Sequence, residues 1–456
     1  MNSTLAGNIL YPLIQFLRKE PVLRIFHQVC KSQHLSKQEL EQLQMEKLKN
    51  ILIHAYEHVP LYYARFKSCN FNPYNFRNKK ELLSIPYLTK QDIIQHTDAL
   101  ISTKDSGPFA TETTSGSTGK PMRFQISRNY AAAFRAAKYR EHSWFNIGIG
   151  DKEARFYGIP LDTSSRWKES IKDFLMNRKR FSVFKLGDKY LQNYIQQLRN
   201  YKPAYIYGYA SAIFRFSEYI QRCNQDPGLT LKAVITTSEV LHDSERDVIE
   251  KVWKCPVVNE YGSSETGIIA HSCAHKNMHL VYENNYLEFI ENNTCVPENK
   301  TGEIVITNLD NERMPLIRYK IGDAGSYSNT SCSCGCALPL IKTIEGRLNN
   351  MVMTVDGKVS SGLVFYYIAR SLLKNKSNIK QFRITQKAIN HIHFSIIKGE
   401  KFSESSITLL KEKTRKTLNK DLNITFEYLD ALPKLKNGKR LHFISELDFP
   451  LAGTQR

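Results

Sequence analysis

The chain lacks an apolar run long enough to cross a membrane. Its first apolar stretch, Ile9 to Leu17, is short, is interrupted by Pro12 and Gln15, and has no basic segment before it. We therefore expect neither a signal peptide nor a transmembrane span, and we expect a cytoplasmic protein. For Leu5 to Phe26, packing onto the body of the protein is the expected arrangement, and an amphipathic segment resting on a membrane surface is the alternative.

Acidic residues are outnumbered, because 44 Asp and Glu stand against 64 Lys and Arg, for a net charge of +20. Such a charge attracts anionic partners. The sequence nevertheless has no recognisable nucleic-acid motif and no obvious platform of alternating aromatic and basic residues, so nucleic acid is not an expected partner. A solvated, lysine-rich exterior accounts for most of the charge.

Paired cysteines are not expected either. There are nine cysteines, an odd number, in a chain with no secretory signal, which argues against a disulfide framework. Internal repeats and low-complexity linkers are also absent from the sequence. The 456 residues, 41% of them hydrophobic, can bury more than one core, so two domains are favoured over one.

A short loop of small hydroxyl residues, glycine and lysine is the most informative segment. It consists of Thr114, Ser115, Gly116, Ser117, Thr118, Gly119 and Lys120. Glycine lets backbone N–H groups approach an anion, hydroxyls donate further hydrogen bonds, and lysine adds a point charge. Because Pro121 follows Lys120, the loop is not a Walker A motif. It predicts polyphosphate binding, and hence ATP; a flexible surface loop is the alternative.

Strands and helices alternate after this loop. Buried strands are predicted at Tyr205 to Tyr207 and at Val234 to Thr236, each followed by a helix, which indicates parallel sheet with crossover helices. Paired strands are then predicted at Tyr286 to Ile290 and at Gly302 to Ile306. The pattern favours an α/β fold with a smaller β subdomain.

Four later segments and the phosphate loop together resemble, in order, the motifs of the adenylate-forming (AMP-binding) enzymes. The later segments are Asn259 to Thr266, Arg318 to Asp323, Gly346 to Asn350 and Pro433 to Arg440. Within that superfamily the chain is most similar to the phenylacetate-CoA ligase branch, especially its CapK-type capsule-biosynthesis members. The resemblance implies an N-terminal AMP-binding domain over residues 1–345 and a small mobile α+β lid domain over residues 346–456. Asn349 stands at the implied hinge, where the family usually has aspartate.

The same resemblance implies an enzyme that uses ATP to adenylate a carboxylate, releases pyrophosphate, and transfers the acyl group to a thiol or an amine. Coenzyme A, a carrier protein and an amino sugar are the open acceptors, an aryl-acid CoA ligase of the phenylacetate type is the alternative activity, and a nucleotide-binding protein without turnover is the alternative class. The implied nucleotide-binding residues besides the phosphate loop are Ser238, Glu239, Asn259, Glu260, Tyr261, Gly262 and Ser264, with Asp323 on the ribose hydroxyls. Glu265 would hold Mg²⁺, Arg347 would lie beside the phosphates or ribose, and Lys439 would reach the α-phosphate and the substrate carboxylate.

The resemblance also implies a carboxylate pocket and a metal site. The pocket residues are Tyr157, Gly158, Tyr207, Gly208 and Tyr209, which suit an aryl acid, a short acyl acid or an amino acid. The metal residues are Cys273, His279, Cys332 and Cys334, a closed set of three sulfurs and one nitrogen that is typical of structural zinc. Cys336 could compete as a ligand, His271 or His275 could replace His279, and unpaired thiols in a hairpin are the alternative.

Overall fold

The structure is a computed structural model, which describes residues 2–105, 107–113, 122–158, 163–183, 186–347, 351–353, 359–361, 379–398, 402, 404–417, 421–430, 432 and 443–447. The phosphate loop Thr114 to Lys120, the hinge residue Asn349 and Lys439 lie outside the described residues.

Helices cover the N-terminal part and flank the sheet. The α-helices run α1 Ser3–Leu5, α2 Tyr11–Arg18, α3 Val22–Ser32, α4 Lys37–His58, α5 Pro60–Ser68, α6 Lys90–Gln95, α7 Arg128–Ser143, α8 Thr163–Leu175, α9 Asp188–Tyr201, α10 Ala210–Arg222, α11 Asp243–Trp253 and α12 Glu404–Thr417. A π-helical turn at Ala6–Leu10 joins α1 to α2, and 3₁₀ turns lie at Pro73–Asn75, Lys79–Ser84 and Asp98–Leu100. Within the described ranges, no helix is both long and apolar enough to span a bilayer.

The strands run β1 Phe109–Thr113, β2 Arg123–Ser127, β3 Glu153–Tyr157, β4 Arg178–Ser182, β5 Tyr205–Tyr209, β6 Ala233–Thr237, β7 Val257–Ser263, β8 Gly267–Ser272, β9 Met278–Leu280, β10 Asn285–Glu291, β11 Thr294–Cys295, β12 Gly302–Asn308, β13 Tyr319–Ser328, β14 Leu340–Arg347, β15 Met351–Met353, β16 Val359–Ser361, β17 Ile379–Ala388, β18 His391–Lys398, β19 Asn423–Tyr428 and β20 Phe443–Ser445.

One 12-stranded sheet organises the N-terminal part, in the order β11-β10-β12-β13-β14-β9-β8-β7-β6-β5-β3-β4. Strands β4, β3, β5, β6 and β7 are parallel, and pairing becomes antiparallel from β7 to β8 onward. The predicted parallel sheet with crossover helices is confirmed, as is the pairing of β10 with β12. The predicted β subdomain is continuous with the parallel sheet.

Strand β5 shows how the two faces of the parallel part are filled. Ile206 lies in an apolar core with Phe156 and Phe216, whereas Tyr205 and Tyr207 lie with Phe145 on the opposite face, because alternate residues of a strand point to opposite sides. Gly208 has no room for a side chain, since an added Cβ would lie 2.3 Å from the carbonyl oxygen of Phe156. The close approach of β5 and β3 therefore requires glycine.

The N-terminal helices only partly follow the expectation that they pack onto the body. Val22 and Val29 of α3 are buried against Ala132 and Ala136 of α7, as expected. The apolar side of α2 is instead exposed, and Phe16 keeps 80% of its surface accessible. Tyr11 of α2 is nevertheless buried, and its ring centroid lies 5.3 Å from that of Tyr139 in α7. Helix α2 therefore packs onto the body on one side and leaves its other side exposed.

The C-terminal part has its own sheet, in the order β19-β18-β17-β20. Ile384, Ile392, Phe394 and Leu410 are buried together between this sheet and α12. A separate core confirms the predicted C-terminal α+β unit. The division at residues 345 and 346 stays a prediction.

Candidate active site

Residues predicted for the carboxylate pocket and for the nucleotide lie near the ends of the parallel strands. Tyr157 ends β3, Tyr209 ends β5, Ser238 follows β6, and Tyr261 lies near the end of β7. In α/β sheets, ligands bind outside the carboxyl ends of parallel strands. Strand β13 also reaches this edge, although β8, β9 and β14 separate it from β7 in the sheet.

A hydrogen bond joins two residues that the sequence assigns to the nucleoside. The Tyr261 hydroxyl donates to the Asp323 carboxylate across 2.8 Å. A carboxylate can accept several hydrogen bonds, so Asp323 is suited to hold further hydroxyl donors. Arg347 is the cross-strand partner of Asp323 between β14 and β13. The structure thus brings Tyr261, Asp323 and the backbone of Arg347 together, and their roles toward a nucleotide stay predictions.

Glu265 lies in the turn between β7 and β8. The Tyr319 hydroxyl donates to its carboxylate across 3.1 Å. Ser263 and Thr266 tighten the turn, with their hydroxyls 2.9 Å apart. A half-buried carboxylate beside the nucleoside residues is a suitable ligand for Mg²⁺. The oxygen ligands that Mg²⁺ prefers include carboxylates such as that of Glu265.

Gly262 and Ser264 belong to the same turn. A Cβ at Gly262 would lie 2.4 Å from the carbonyl oxygen of Gly267, so glycine is required where β7 meets β8. Ser264 is exposed. The turn therefore depends on its small residues for its shape.

The Arg318 to Asp323 segment does more than the sequence indicated. Arg318 pairs with Glu288 at 3.0 Å, and both side chains are 1% exposed. Arg318 also donates to the carbonyl of Ile85 across 2.6 Å, so it ties β13 to β10 and to the helical N-terminal part. Sequence reasoning missed this role; the signal was an arginine directly after the apolar stretch Pro315 to Ile317.

Ser238 and Glu239 occupy two different positions. Ser238 has a φ of 68°, the left-handed region that few residues other than glycine adopt, and its hydroxyl lies 3.2 Å from that of Tyr157. Glu239 accepts a hydrogen bond from the backbone N–H of Ser211 across 2.9 Å. Glu239 therefore caps the N-terminus of α10, where a carboxylate is favoured.

Asn259 and Glu260 belong to the sheet interior. The backbone N–H of Asn259 donates to the Ser272 hydroxyl across 2.8 Å. Glu260 is buried and accepts a hydrogen bond from the Tyr207 hydroxyl across 2.6 Å. Because side chains alternate along a strand, Glu260 lies on the opposite face of β7 from Tyr261. The structure does not bring these two side chains together.

The predicted pocket tyrosines do come together. Tyr157 is stacked on Tyr207 with ring centroids 6.1 Å apart, and the Tyr157 and Tyr209 centroids are 4.5 Å apart. Gly158 joins the edge of this group, since its carbonyl accepts a hydrogen bond from Arg180 across 3.1 Å. The Lys138 ammonium lies 3.7 Å from the Tyr207 ring centroid.

Lys138 is a cation that the sequence did not reveal at this position. Burial lowers its pKa to about 8, against the opposing effect of Glu260. Burial likewise raises the pKa of Tyr157. The pocket region therefore combines aromatic rings with a half-buried cation.

The predicted metal residues form a compact set. The ligand atoms of Cys273, His279, Cys332 and Cys334 all lie within 4.8 Å of one another. The sulfurs of Cys273 and Cys332 are 3.7 Å apart, and the Cys334 sulfur is 3.3 Å from Nε2 of His279. Nδ1 of His279 lies 3.0 Å from the Leu338 carbonyl oxygen, which orients Nε2 toward the sulfurs, as outer-shell bonds to zinc ligands do.

The competing ligands are placed elsewhere. His275 is exposed and lies 3.1 Å from the Ser333 hydroxyl. Neither Cys336 nor His271 belongs to the group of four. The donors fit tetrahedral zinc, with three soft sulfurs and one imidazole nitrogen.

Comparison with known proteins gives three results. The CapK C-terminal domain matches residues 354–446. Protein CapK of Staphylococcus aureus is 24% identical over 381 residues, covering 80% of each chain, and phenylacetate-coenzyme A ligase of Pseudomonas putida is 27% identical over 332 residues, covering 69% of this chain and 72% of the ligase. A crystal structure of 2-hydroxyisobutyryl-CoA ligase with 2-HIB-AMP aligns with a TM-score of 0.70 at 19% identity, covering 91% of each chain.

The structural likeness shows that the chain has the fold of the adenylate-forming ligases. More particularly, residues 354–446 match the CapK C-terminal domain, and most of the chain is similar in sequence to protein CapK and to the phenylacetate-coenzyme A ligases.

Proposed function

We propose that this protein is an adenylate-forming ligase that activates a small carboxylic acid with ATP and passes the acyl group to coenzyme A. The observation that carries the proposal is the Tyr261–Asp323 hydrogen bond with Arg347 opposite Asp323. It joins the side chains of Tyr261 and Asp323 and pairs the backbone of Arg347 with that of Asp323, so three motifs that are distant in sequence meet. The homology to ligases named for coenzyme A supports the thiol acceptor.

Each residue has a task in this proposal. Asp323 accepts hydrogen bonds from the ribose hydroxyls, and the ring of Tyr261 lies beside adenine. Glu265 would hold Mg²⁺, which would supply positive charge beside the phosphates. The substrate carboxylate attacks the α-phosphorus and pyrophosphate leaves. The Thr114 to Lys120 loop holds the leaving phosphates, and Lys439 from the C-terminal domain balances charge that develops in the transition state. Movement about Asn349 between half-reactions would carry Lys439 into and out of the active site.

The acceptor and the biological setting are the finer part of the proposal. Similarity to CapK supports a role in capsule or surface polysaccharide synthesis, where the acceptor would be an amine on a sugar. Incubating the protein with ATP, Mg²⁺, a carboxylate and either coenzyme A or an amino sugar separates the two by the product's mass. Thioester alone supports coenzyme A, amide alone supports the sugar, and neither product with full release of AMP contradicts both acceptors.

We also propose that Cys273, His279, Cys332 and Cys334 bind a structural zinc ion. The site joins β9 to the Cys332–Cys334 loop and would stabilise the antiparallel half of the sheet. Cys334→Ser should remove one equivalent of zinc and lower the melting temperature, while Cys69→Ser, outside the cluster, should change neither. Unchanged zinc content in Cys334→Ser would contradict this site.

We further propose that the exposed apolar side of α2 and the exposed side of α8 rest on an anionic membrane surface. Phe16 is 80% exposed and Trp167 is 68% exposed. The segment from Asn2 to Lys19 contains no acidic residue, which makes it complementary to anionic lipid. Gly150 lies close to the segments next to both helices. A Cβ there would lie 2.3 Å from the backbone nitrogen of Gly7, before α2, and its carbonyl accepts a hydrogen bond from the Asn177 side chain, just after α8, across 2.7 Å.

Vesicle flotation tests the surface. We expect binding to phosphatidylglycerol vesicles, weaker binding to phosphatidylcholine vesicles, and loss of binding in Phe16→Ala/Trp167→Ala. Tyr428→Ala, which removes an exposed ring of the C-terminal sheet, is the matched control. No flotation of the wild type would contradict the proposal, as would a stable dimer that the double variant abolishes.

A further inference from the structure

A second cluster of possible metal ligands lies where the sheet changes from parallel to antiparallel. His142 comes from α7, Glu260 from β7 and His271 from β8. Their ligand atoms all lie within 4.8 Å of one another. The three residues are 1%, 5% and 0% exposed, respectively. The cluster is separate from the cysteine site and has no role in the mechanism above.

Several polar atoms of these buried side chains have no hydrogen-bond partner among the described residues. Both ring nitrogens of His142, both ring nitrogens of His271 and Oε2 of Glu260 have none among the described residues. Buried polar atoms are rarely left without a partner, because they have lost their hydrogen bonds to water and gained none in the protein. A bound ion would satisfy one nitrogen of each ring and the free carboxylate oxygen at once.

The surroundings are those of a supported ligand set. The other oxygen of Glu260, Oε1, accepts the hydrogen bond from Tyr207 across 2.6 Å. This bond fixes the orientation of the carboxylate and leaves Oε2 available for a metal ion. The His142 ring lies edge-on to Tyr205, with centroids 5.5 Å apart. The indole of Trp144 packs against His271, with centroids 6.0 Å apart. The Tyr207 hydrogen bond is the kind of outer-shell contact that orients a metal-ligating carboxylate, and the aromatic rings enclose the two histidines.

We propose that His142, Glu260 and His271 bind a divalent transition-metal ion. Two neutral imidazoles and one carboxylate suit zinc, cobalt(II) and iron(II). The ion would fix α7 to β7 and β8. Through Glu260 it would also hold Tyr207, one wall of the predicted carboxylate pocket. Because the site is fully enclosed, the ion would enter during folding.

Lys138 is the alternative partner of Glu260. Its ammonium lies over the Tyr207 ring, and Glu260 favours its charged form. If that ion pair is the functional arrangement, the two histidines face buried water and the cluster binds no metal. Metal content distinguishes these two states directly.

The test is zinc content per chain in the full-length protein, produced in zinc-supplemented medium so that the ion is present during folding, then purified under reducing conditions and desalted. We expect about two zinc ions per wild-type chain and about one in each of His142→Gln, Glu260→Gln and Cys334→Ser, because each variant removes one site. The His142→Gln/Cys334→Ser double variant should bind none. His54→Gln, a change at a buried histidine outside both sites, should keep the wild-type content.

Cobalt(II) in place of zinc shows which site is lost, even if a variant is less stable. Thiolate-to-cobalt absorption should persist in His142→Gln and disappear in Cys334→Ser, since only the cysteine site supplies sulfur. The proposal is wrong if His142→Gln and Glu260→Gln keep the metal content of the wild type. It is also wrong if Cys334→Ser alone removes all of the metal.

Discussion

Replacing Asp323 by alanine should weaken ATP binding without changing the fold. The Asp323 carboxylate already accepts a hydrogen bond from Tyr261 across 2.8 Å, and in the proposed complex it also accepts bonds from the ribose hydroxyls. Hydrogen bonds to a charged group are worth about 1.5–3 kcal/mol. Since 1.4 kcal/mol is a factor of ten in affinity, the loss corresponds to roughly tenfold to a hundredfold weaker binding.

The measurement is calorimetric titration of wild type and Asp323→Ala with ATP and with its 2′,3′-dideoxy analogue. The wild type should lose affinity when the hydroxyls are removed, whereas Asp323→Ala should scarcely distinguish the two nucleotides. Tyr261→Phe is the matched control, because it removes the same hydrogen bond but keeps the carboxylate, so it should still distinguish them. Equal discrimination by wild type and Asp323→Ala would refute the assignment of the ribose to Asp323.

Four further predictions follow from other residues. Lys439→Ala should reduce adenylate formation by orders of magnitude in single-turnover assays and leave ATP affinity nearly unchanged, because its partner charge develops in the transition state; unchanged single-turnover rates would contradict this. Gly208→Ala should lower the melting temperature, since the new Cβ would lie 2.3 Å from a neighbouring carbonyl oxygen; an unchanged melt would contradict the close strand approach. Arg318→Ala should cost about 3–5 kcal/mol in denaturant unfolding, because it leaves buried Glu288 unpaired; a loss below 1 kcal/mol would argue against that ion pair. Glu153→Gln should have a lower melting temperature than the wild type at neutral pH. This difference in melting temperature should shrink as the pH falls below the ordinary glutamate pKa of about 4.3. Although burial opposes it, two arginines hold the pKa of Glu153 below that value, so its stabilisation is present above that range and lost on protonation; a gap independent of pH would contradict this.

Local sequence patterns were sufficient for the parallel half of the fold. The apolar β-branched run at Val234 to Thr236 predicted β6 and a helix after it, and the structure has both β6 and α11 there. The pairing that joins strands β10 to β14 to the rest of the sheet was not predictable in this way. It depends on β9 pairing with β14, two strands whose paired residues His279 and Leu340 are far apart in sequence.

Some residues of the candidate site could likewise be predicted from the sequence, and others could not. Asp323 and Tyr261 could be predicted because ordered motifs imply a shared ligand, and they do meet. Lys138 and His142 could not, because a lone lysine or histidine in a helix is indistinguishable from a surface residue until the helix face is known. Only the packing of α7 on the sheet shows that Lys138 lies over the Tyr207 ring and that His142 lies beside Glu260.

Carboxylate-dependent exchange of labelled pyrophosphate into ATP tests the central claim most directly, because it requires reversible formation of an acyl adenylate. The panel is aryl acids, amino acids and uronic acids, each with and without Mg²⁺. We expect exchange that needs both Mg²⁺ and one class of carboxylate and that Lys439→Ala abolishes. ATP binding with no exchange over the whole panel would contradict an adenylating enzyme and favour a nucleotide-binding protein without turnover.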